Sequence, residues 1–295
     1  MTAPLPPDPA ASDAPRVTVV TVAYSSIDVL PDMAASLPPG VPLVIVDNGP
    51  DDGLRAWAEA RGHRLILPGR NLGFGAACNR GADAAGTEFV FFLNPDARLT
   101  PDALPALLEA ADRHPDCPAF GPAILRGDGS VFRVNASRIP APRDRLIPPP
   151  RPETETPLHS LNGAAILARR AAFAAVGGFD EAIFLYFEDD DLTLRLSDRF
   201  GPLLYVPQAQ VTHASAGSTP PTPALARFKG YHYARSQILV MAKHGRRWPR
   251  LRGLVSSARR LISARNLTRP EKWNDARGRW QGSLSVWRGD DPGPH

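Results

Sequence analysis

Cysteine is almost missing from this chain: Cys78 and Cys117 are the only two in 295 residues. Two thiols cannot build a disulfide framework, and no Cys-x-x-Cys pair offers a zinc site, so a reduced, cytoplasmic chain is expected. Long apolar runs are lacking too. No stretch approaches the roughly 18 residues that a membrane span needs, so any membrane contact is expected to be peripheral. The stretch from Met1 to Pro15 has neither a basic opening nor an apolar core and does not read as a signal peptide. No internal repeat is visible, which argues against solenoids and propellers.

What is present suits a globular α/β protein. The length allows one large domain or two small ones, and an apolar fraction of 43% supports a sizeable core. The formal charge of +4 fits either an arginine-favouring composition or a surface that meets phosphates and anionic lipid. Composition does not separate these.

Short β-rich apolar runs alternate with helical patterns. Strands are expected at 17–23, 41–46, 64–67 and 88–93, with helices near 54–61, 75–85 and after Thr100-Pro101, where Thr100 can cap. This alternation indicates an open, mostly parallel sheet flanked by helices. In such sheets ligands lie at the carboxyl ends of the strands. Tyr24, Asp47, Arg70-Asn71 and Asn94/Asp96 all fall there. The second half is less regular. Residues 135–157 read as a long Pro- and Arg-rich loop, 161–167 as a strand, and 169–175 as a helix. The acidic run Glu188-Asp189-Asp190-Asp191 opens a helix, as the macrodipole favours. Two short strands, 203–206 and 210–213, precede a loop at 214–223, and 224–266 reads as two helices, the second strongly basic.

Several motifs could carry chemistry. Asn71-Leu72-Gly73-Phe74-Gly75-Ala76-Ala77-Cys78 imitates a dinucleotide-binding glycine loop, with Asp96 downstream. Against an NAD-dependent oxidoreductase stand Cys78 in place of the third glycine, the loop's position after the third strand, and an acidic cluster left without a role. Asn94 and Asp96 flank one residue and can face a common hard cation, although Asn-Pro-Asp is also an ordinary turn. The four carboxylates 188–191 would repel one another unless some bind a cation, pair with Arg195 or stay in water. Asp191 lies four residues before Arg195, which suits a helix-surface pair. The aromatic run Phe184 to Phe187 suggests a partly buried position, where a carboxylate can work as a base. His213 ends a strand and gains weight as a ligand only beside Asp96. Arg246-Arg247-Trp248 through Arg260 interleaves arginines with Leu251, Leu254 and Val255, which suits either an anionic surface or packing on the domain.

Taken in order, Val22 to Tyr24, Val46-Asp47-Asn48-Gly49, Asn71 to Gly75 with Asn79, Leu93 to Asp96, Leu161 to Ala165, Gly177 to Glu181, Phe187 to Leu192 and Val211 to His213 resemble the family 2 glycosyltransferases, rhamnosyltransferase-like branch. The resemblance covers roughly residues 17–245. It implies a GT-A fold, a dTDP- or UDP-sugar donor, a divalent cation (Mg²⁺ or Mn²⁺) and inversion at the anomeric carbon. By the same resemblance Asp47 meets the nucleotide base with Tyr24 beside it. Val22, Asn71, Gly73, Asn79 and Asn94 belong to the nucleotide site, and Asp96 and His213 to the metal. Asp189 becomes the catalytic base, while Gly163, Ala164, Glu188 and Asp190 border the donor sugar or acceptor. Asn94 departs from the broader family's Asp-x-Asp motif; it is a neutral, weaker ligand that can contact ribose instead.

The expected organisation is a disordered tail at 1–15, a GT-A domain at 16–223, a helical extension at 224–287 and a disordered tail at 288–295. The expected reaction moves a sugar, rhamnose on the family's weight, to a hydroxyl of a saccharide or lipid-linked saccharide at the inner face of the cell membrane. Nucleic acid is not an expected partner. A catalytically inactive nucleotide-sugar- or polysaccharide-binding relative is the alternative.

Overall fold

The parallel half of the sheet is built from strands whose residues are almost all apolar and buried. β1 (Val17–Ala23) pairs with β2 (Leu43–Asp47), and β2 with β3 (Arg64–Ile66), all parallel. On its other side β1 pairs in parallel with β4 (Phe89–Leu93). Successive side chains of a strand point to opposite faces. Val17 and Val19 accordingly join the core under α1 (Leu30–Ala35), α2 (Leu54–Glu59) and α4 (Ala103–Arg113). Val20 and Val22 join the core under α3 (Phe74–Asp83), α5 (Arg170–Ala175) and α6 (Glu188–Phe200). A sheet covered on both faces explains why its strands read as continuous apolar runs.

The computed structural model describes residues 3–5, 15–50, 53–132, 134, 137, 139, 149–213, 222–263, 266 and 269–290. Most of the expected N-terminal tail, much of the long loop after 135, most of the loop at 214–223 and the last five residues lie outside them. Ala3 donates to the Arg199 carbonyl at 2.7 Å.

The other half of the sheet turns mixed. β5 (Ala97–Leu99), β6 (Ala119–Leu125), β7 (Thr156–Leu158), β8 (Ala165–Arg169) and β9 (Leu203–His213) complete the spatial order β3-β2-β1-β4-β8-β6-β9-β5, with β7 also on β9. β8 runs antiparallel to β4 and β6, while β6 and β9 are parallel. The structure differs from several expectations. The strand expected at 161–167 begins only at Ala165, because Asn162 accepts from the Ala164 N–H at 2.9 Å and turns the chain. The two short strands at 203–213 are one, with a register shift against β6 between Pro122 and Ala123. The loop expected to 157 already contains β7. Thr100 does not cap α4; its hydroxyl donates to the Gln210 carbonyl at 3.1 Å, and Asp102 stands at the N-cap.

After the sheet the described residues form α7 (Pro223–Lys243), α8 (Pro249–Leu261) and α9 (Pro270–Arg288). The third extends the two expected, and it reaches Arg288. α7 and α9 approach backbone to backbone. A Cβ on Gly278 would stand 2.0 Å from the Arg227 carbonyl oxygen, and one on Gly282 2.1 Å from that of Tyr231. Overpacking such a contact typically costs about 1–3 kcal/mol. Gly282→Ala should therefore lower unfolding stability by about that amount in urea titration; an unchanged midpoint would refute the close packing.

Candidate active site

The carboxyl ends of β1 and β2 lie side by side, since Ala23 pairs with Asp47. Tyr24, Asp47, Gly49, Arg55, Arg70 and Asn71 line a cavity of about 460 Å³ at this edge, with Phe228 of α7 also on its wall. A Cβ on Gly49 would be crowded, 3.0 Å from the Ser25 nitrogen and 3.1 Å from the Tyr24 Cα. Asn48 ties the corner together. Its Nδ2 donates to Asn71 Oδ1 at 2.8 Å and to the Gly73 carbonyl at 3.2 Å, and its Oδ1 accepts from the Leu72 N–H at 2.8 Å. Gly73 adopts φ +83° and lies so near Phe184 that a Cβ would meet its carbonyl oxygen at 2.4 Å. The Phe74 N–H donates to that carbonyl at 2.9 Å, which joins the Asn71–Gly73 loop to the segment before α6. The glycine loop thus follows the edge strand β3 and is closed from above by Phe184.

Not every expected residue reaches this cavity. The Val22 side chain is buried in the core with Ala77 and Cys78. Asn79 faces elsewhere: its amide donates to the Phe179 carbonyl at 2.9 Å and accepts from the Phe179 N–H at 2.9 Å. It lines a separate hollow with Gly177, Gly178 and Glu181.

At the end of β4, antiparallel pairing of β5 with β9 sets Ala97 opposite His213. That register brings His213 Nε2 to 3.1 Å from Asp96 Oδ1 and 3.3 Å from Asn94 Nδ2. One carboxylate and one imidazole converge with a neutral amide beside them. Among the described residues no group of three His, Cys, Asp or Glu side chains could hold a metal ion. A two-ligand set of oxygen and nitrogen fits a divalent cation whose remaining positions are filled by water or phosphate oxygens.

The turn 162–164 crosses above. The Asn94 N–H donates to the Ala164 carbonyl at 3.0 Å, and the Gly163 N–H donates to Asp189 Oδ2 at 2.9 Å. A Cβ on Gly163 would stand 2.8 Å from that oxygen. Asp189 Oδ1 accepts from the Asp190 N–H at 2.9 Å, and Asp190 Oδ1 accepts from the Ser160 hydroxyl at 3.0 Å. Asp189 and Asp190 open onto a second cavity of about 360 Å³, walled by Leu161, Phe187, Tyr205, Tyr233 and Gln237 among others. Ser160, Tyr233 and Gln237 carry no motif, and sequence reading missed them.

The acidic run separates into distinct environments. Asp191 is fully buried and accepts from Arg195 Nε at 2.8 Å, Lys243 Nζ at 3.0 Å and His244 Nε2 at 3.0 Å. Burial alone would raise its pKa, but the His244 hydrogen bond, Arg195 and Lys243 outweigh it and hold the group at about 2. The stability it contributes is present above the ordinary aspartate range and lost as pH falls through about 2. Glu188 is buried, and its Oε2 has no hydrogen-bond partner among the described residues. Burial, then the charge of Asp189, pushes its carboxyl up to about 8, so it is neutral at pH 7. Burial first and the Asp190 charge second raise Asp189 to about 6, so it is mostly ionised there. A carboxylate of that strength, held by two backbone N–H groups at a cavity wall, can accept a proton near neutrality. Tyr186 and Phe187, just before the run, both lie in the left-handed region at φ 68° and 66°. For non-glycine residues this costs on the order of 1 kcal/mol each, and neighbours must hold them there. The Tyr233 ring does so, 5.6 Å from Tyr186 and 4.9 Å from Phe187.

A model of glycosyl transferase family 2 matches residues 18–193, from β1 into the helix that carries Asp189. The chain belongs to that family. The N-acetylglucosaminyl-diphospho-decaprenol L-rhamnosyltransferase of Mycobacterium tuberculosis is 35% identical over 78% of this chain and 85% of that protein. A hexosyltransferase of low-salt glycan biosynthesis from Haloferax volcanii is 24% identical over 61% of each chain. Among solved structures, a mannosyltransferase from Pyrobaculum calidifontis in complex with GDP-Man and Mn²⁺ superposes with TM-score 0.56 over 98% of this chain and 78% of that one, at 18% identity. S. aureus TarS residues 1–349 give 0.55 over 93% and 92%, at 14%. The fold is thus GT-A, the chain is a glycosyltransferase, and the oxidoreductase reading falls away.

The Gly163 contact yields a prediction. Gly163→Ala should push the Asp189 carboxylate off its position and lower turnover on the order of 10–100-fold, with donor affinity nearly unchanged. Steady-state kinetics alongside donor titration decide it, and normal turnover would remove Gly163 from the catalytic geometry.

Proposed function

We propose that this glycosyltransferase moves rhamnose, with inversion, from a dTDP- or UDP-linked donor to a hydroxyl of a lipid-linked, N-acetylglucosamine-type acceptor at the inner face of the membrane. The observation that carries this reading is the Asp189 carboxylate, held by the Gly163 and Asp190 N–H groups at the wall of a cavity. The Mycobacterium relative supports the choice of sugar and acceptor. That no helix among the described residues is long and apolar enough to cross a membrane agrees with peripheral attachment.

In this reading the nucleotide lies along the carboxyl ends of β1, β2 and β4. Asp47 accepts an imide N–H of the base, Tyr24 covers the base, and Asn71, Gly73 and Asn94 border the nucleotide. Asp96 and His213 hold the divalent cation. When bound, the cation supplies positive charge against which the departing diphosphate is stabilised. The acceptor enters the cavity of Tyr233 and Gln237. Asp189 takes the proton of the acceptor hydroxyl as its oxygen bonds to the anomeric carbon, and the bond from that carbon to the diphosphate breaks on the opposite face. Products are the glycosylated acceptor and the nucleoside diphosphate, with the proton on Asp189. Neutral Glu188 spares Asp189 a second adjacent negative charge.

Three outcomes test this. Asp189→Asn keeps the shape and removes the base, so turnover should drop about 10²–10⁴-fold while donor affinity changes by less than about threefold; near-normal turnover would sink the assignment. In the intact enzyme kcat should rise with pH through about 6, where Asp189 loses its proton. Asp190→Asn removes a charge that raises that pKa, so the acid limb should move to lower pH, and an unmoved limb would assign it to another group. Chelation should abolish transfer from dTDP-rhamnose, with Mn²⁺ or Mg²⁺ restoring it; full activity after chelation would refute the cation site.

A further inference from the structure

Helix α8 presents a face that the catalytic reading does not use. From 246 to 263 the chain carries six arginines and no acidic residue. Gly253 and Ser257 point inward. A Cβ on Gly253 would lie 2.4 Å from Ile238 of α7, and the Ser257 hydroxyl donates to Ser283 Oγ of α9 at 3.1 Å. The opposite side holds Trp248, Leu251, Val255 and Ile262, exposed by 66%, 49%, 42% and 80%. Of the seven exposed large hydrophobic side chains among the described residues, these four belong to one helix and its caps. At about 100° per residue they fall within roughly 60° of arc, and Arg247, Arg252 and Arg259 flank that stripe.

A helix that merely packs on its domain keeps its large apolar residues inward; here the closest inward contacts are made by glycine and serine, with Leu254 and Leu261 half-buried, while four large apolar side chains face outward. A basic patch built for nucleic acid would need no aliphatic stripe at its centre. Apolar side chains projecting between arginines, with a tryptophan at the end, match an anionic bilayer, where the stripe enters the acyl boundary and the guanidinium groups meet phosphates. Beside the stripe lies a groove of about 1050 Å³ lined by Arg252, Arg259, Arg260 and Lys272, with Glu271 and Asp275 also on its wall. Among the described residues that line it four cations outnumber two carboxylates, which suits an anionic headgroup.

We infer that the outer face of α8 is the membrane-docking surface of this protein and that its partner is a bilayer rich in anionic phospholipid. The inference rests on the reading that the acceptor is lipid-linked and says which surface meets the lipid. α8 packs on α7, the helix that brings Tyr233 and Gln237 to the Asp189 cavity. Docking through α8 therefore holds the acceptor side of the site beside the membrane.

The test uses the full chain with vesicles of phosphatidylglycerol and phosphatidylcholine, and with phosphatidylcholine alone. The protein should co-sediment with the anionic vesicles and not with the zwitterionic ones. Binding should fall as salt rises from about 0.1 M, where screening reaches about 10 Å, to about 1 M, where it acts within about 3 Å. The variant Trp248→Ser, Leu251→Ser, Val255→Ser and Ile262→Ser should fold normally, since these side chains are exposed, and should bind anionic vesicles at least about tenfold more weakly. It should keep wild-type turnover on a water-soluble acceptor and lose it on one embedded in vesicles. Unchanged vesicle binding by this variant would overturn the inference. So would absence of wild-type binding at low salt, or a wild-type dimer that the variant dissociates, which would make the stripe a contact between copies. Wild-type binding without transfer to either acceptor would instead overturn the proposed function and leave the docking face standing.

Discussion

The arrangement depends on one buried carboxylate. Asp191 gathers Arg195 from its own helix and Lys243 and His244 from the end of α7. Arg195 in turn donates to the carbonyls of Val176 and Gly178, both at 2.7 Å, so the turn that ends α5 is pinned to α6 as well. A charge removed from water is tolerated only when its partners are this complete, and losing one side of such a pair typically costs about 3–5 kcal/mol. Asp191 therefore fixes where α6 starts, and with it where Asp189 points. The same carboxylate ties the end of α7 to α6, so the cavity wall that α7 supplies with Tyr233 and Gln237 and the Asp189 side chain on α6 share one anchor.

Around that anchor the division of labour among four neighbouring carboxylates follows from environment. Consecutive side chains on a helix point about 100° apart, so each of the four meets different surroundings. Glu188 turns into the interior and stays neutral at pH 7, Asp189 faces a cavity with two N–H donors, and Asp190 takes the Ser160 hydroxyl. Repulsion that would be costly in an evenly solvated cluster is relieved by keeping buried Glu188 neutral and giving each of the three aspartates different partners.

Much of this was legible in the sequence, and the limits have physical causes. β1, β2 and β4 announced themselves because both sheet faces are covered, leaving unbroken apolar runs, whereas β3, at the sheet edge, is short and only half-buried. The ends of those strands, and the Asp191–Arg195 spacing, could be read for the same reason that periodicity works at all. β5, β6 and β7 could not. β5 and β7 are three residues long, and β6 carries Gly121 and Pro122 in mid-strand, which a strand pattern disfavours. α9 hides because its buried residues are nearly all small, Ala276, Gly278, Gly282, Ser283 and Ser285, with Val286 the one larger apolar side chain among them. Asn79 sits in a motif that suggests a ligand, yet its amide is engaged by the backbone of Phe179 a hundred residues away. Ser160, Tyr233 and Gln237 reach the second cavity through tertiary placement alone.

The Asn48 amide has a consequence for how this protein ages. Asn48 is followed by Gly49, a pair whose unhindered backbone favours cyclisation of the side chain and hydrolysis to aspartate. Here both reacting groups are engaged elsewhere: the amide nitrogen is bonded to Asn71 and Gly73, and the Gly49 N–H donates to Asp47 Oδ1 at 3.3 Å. Hydrolysis would exchange a donor for an oxygen facing two other oxygens, and the corner that holds the glycine loop would open. The bonds that shape this corner thus also shield its least durable peptide step, and chemical wear would begin only in molecules where that corner has already come apart.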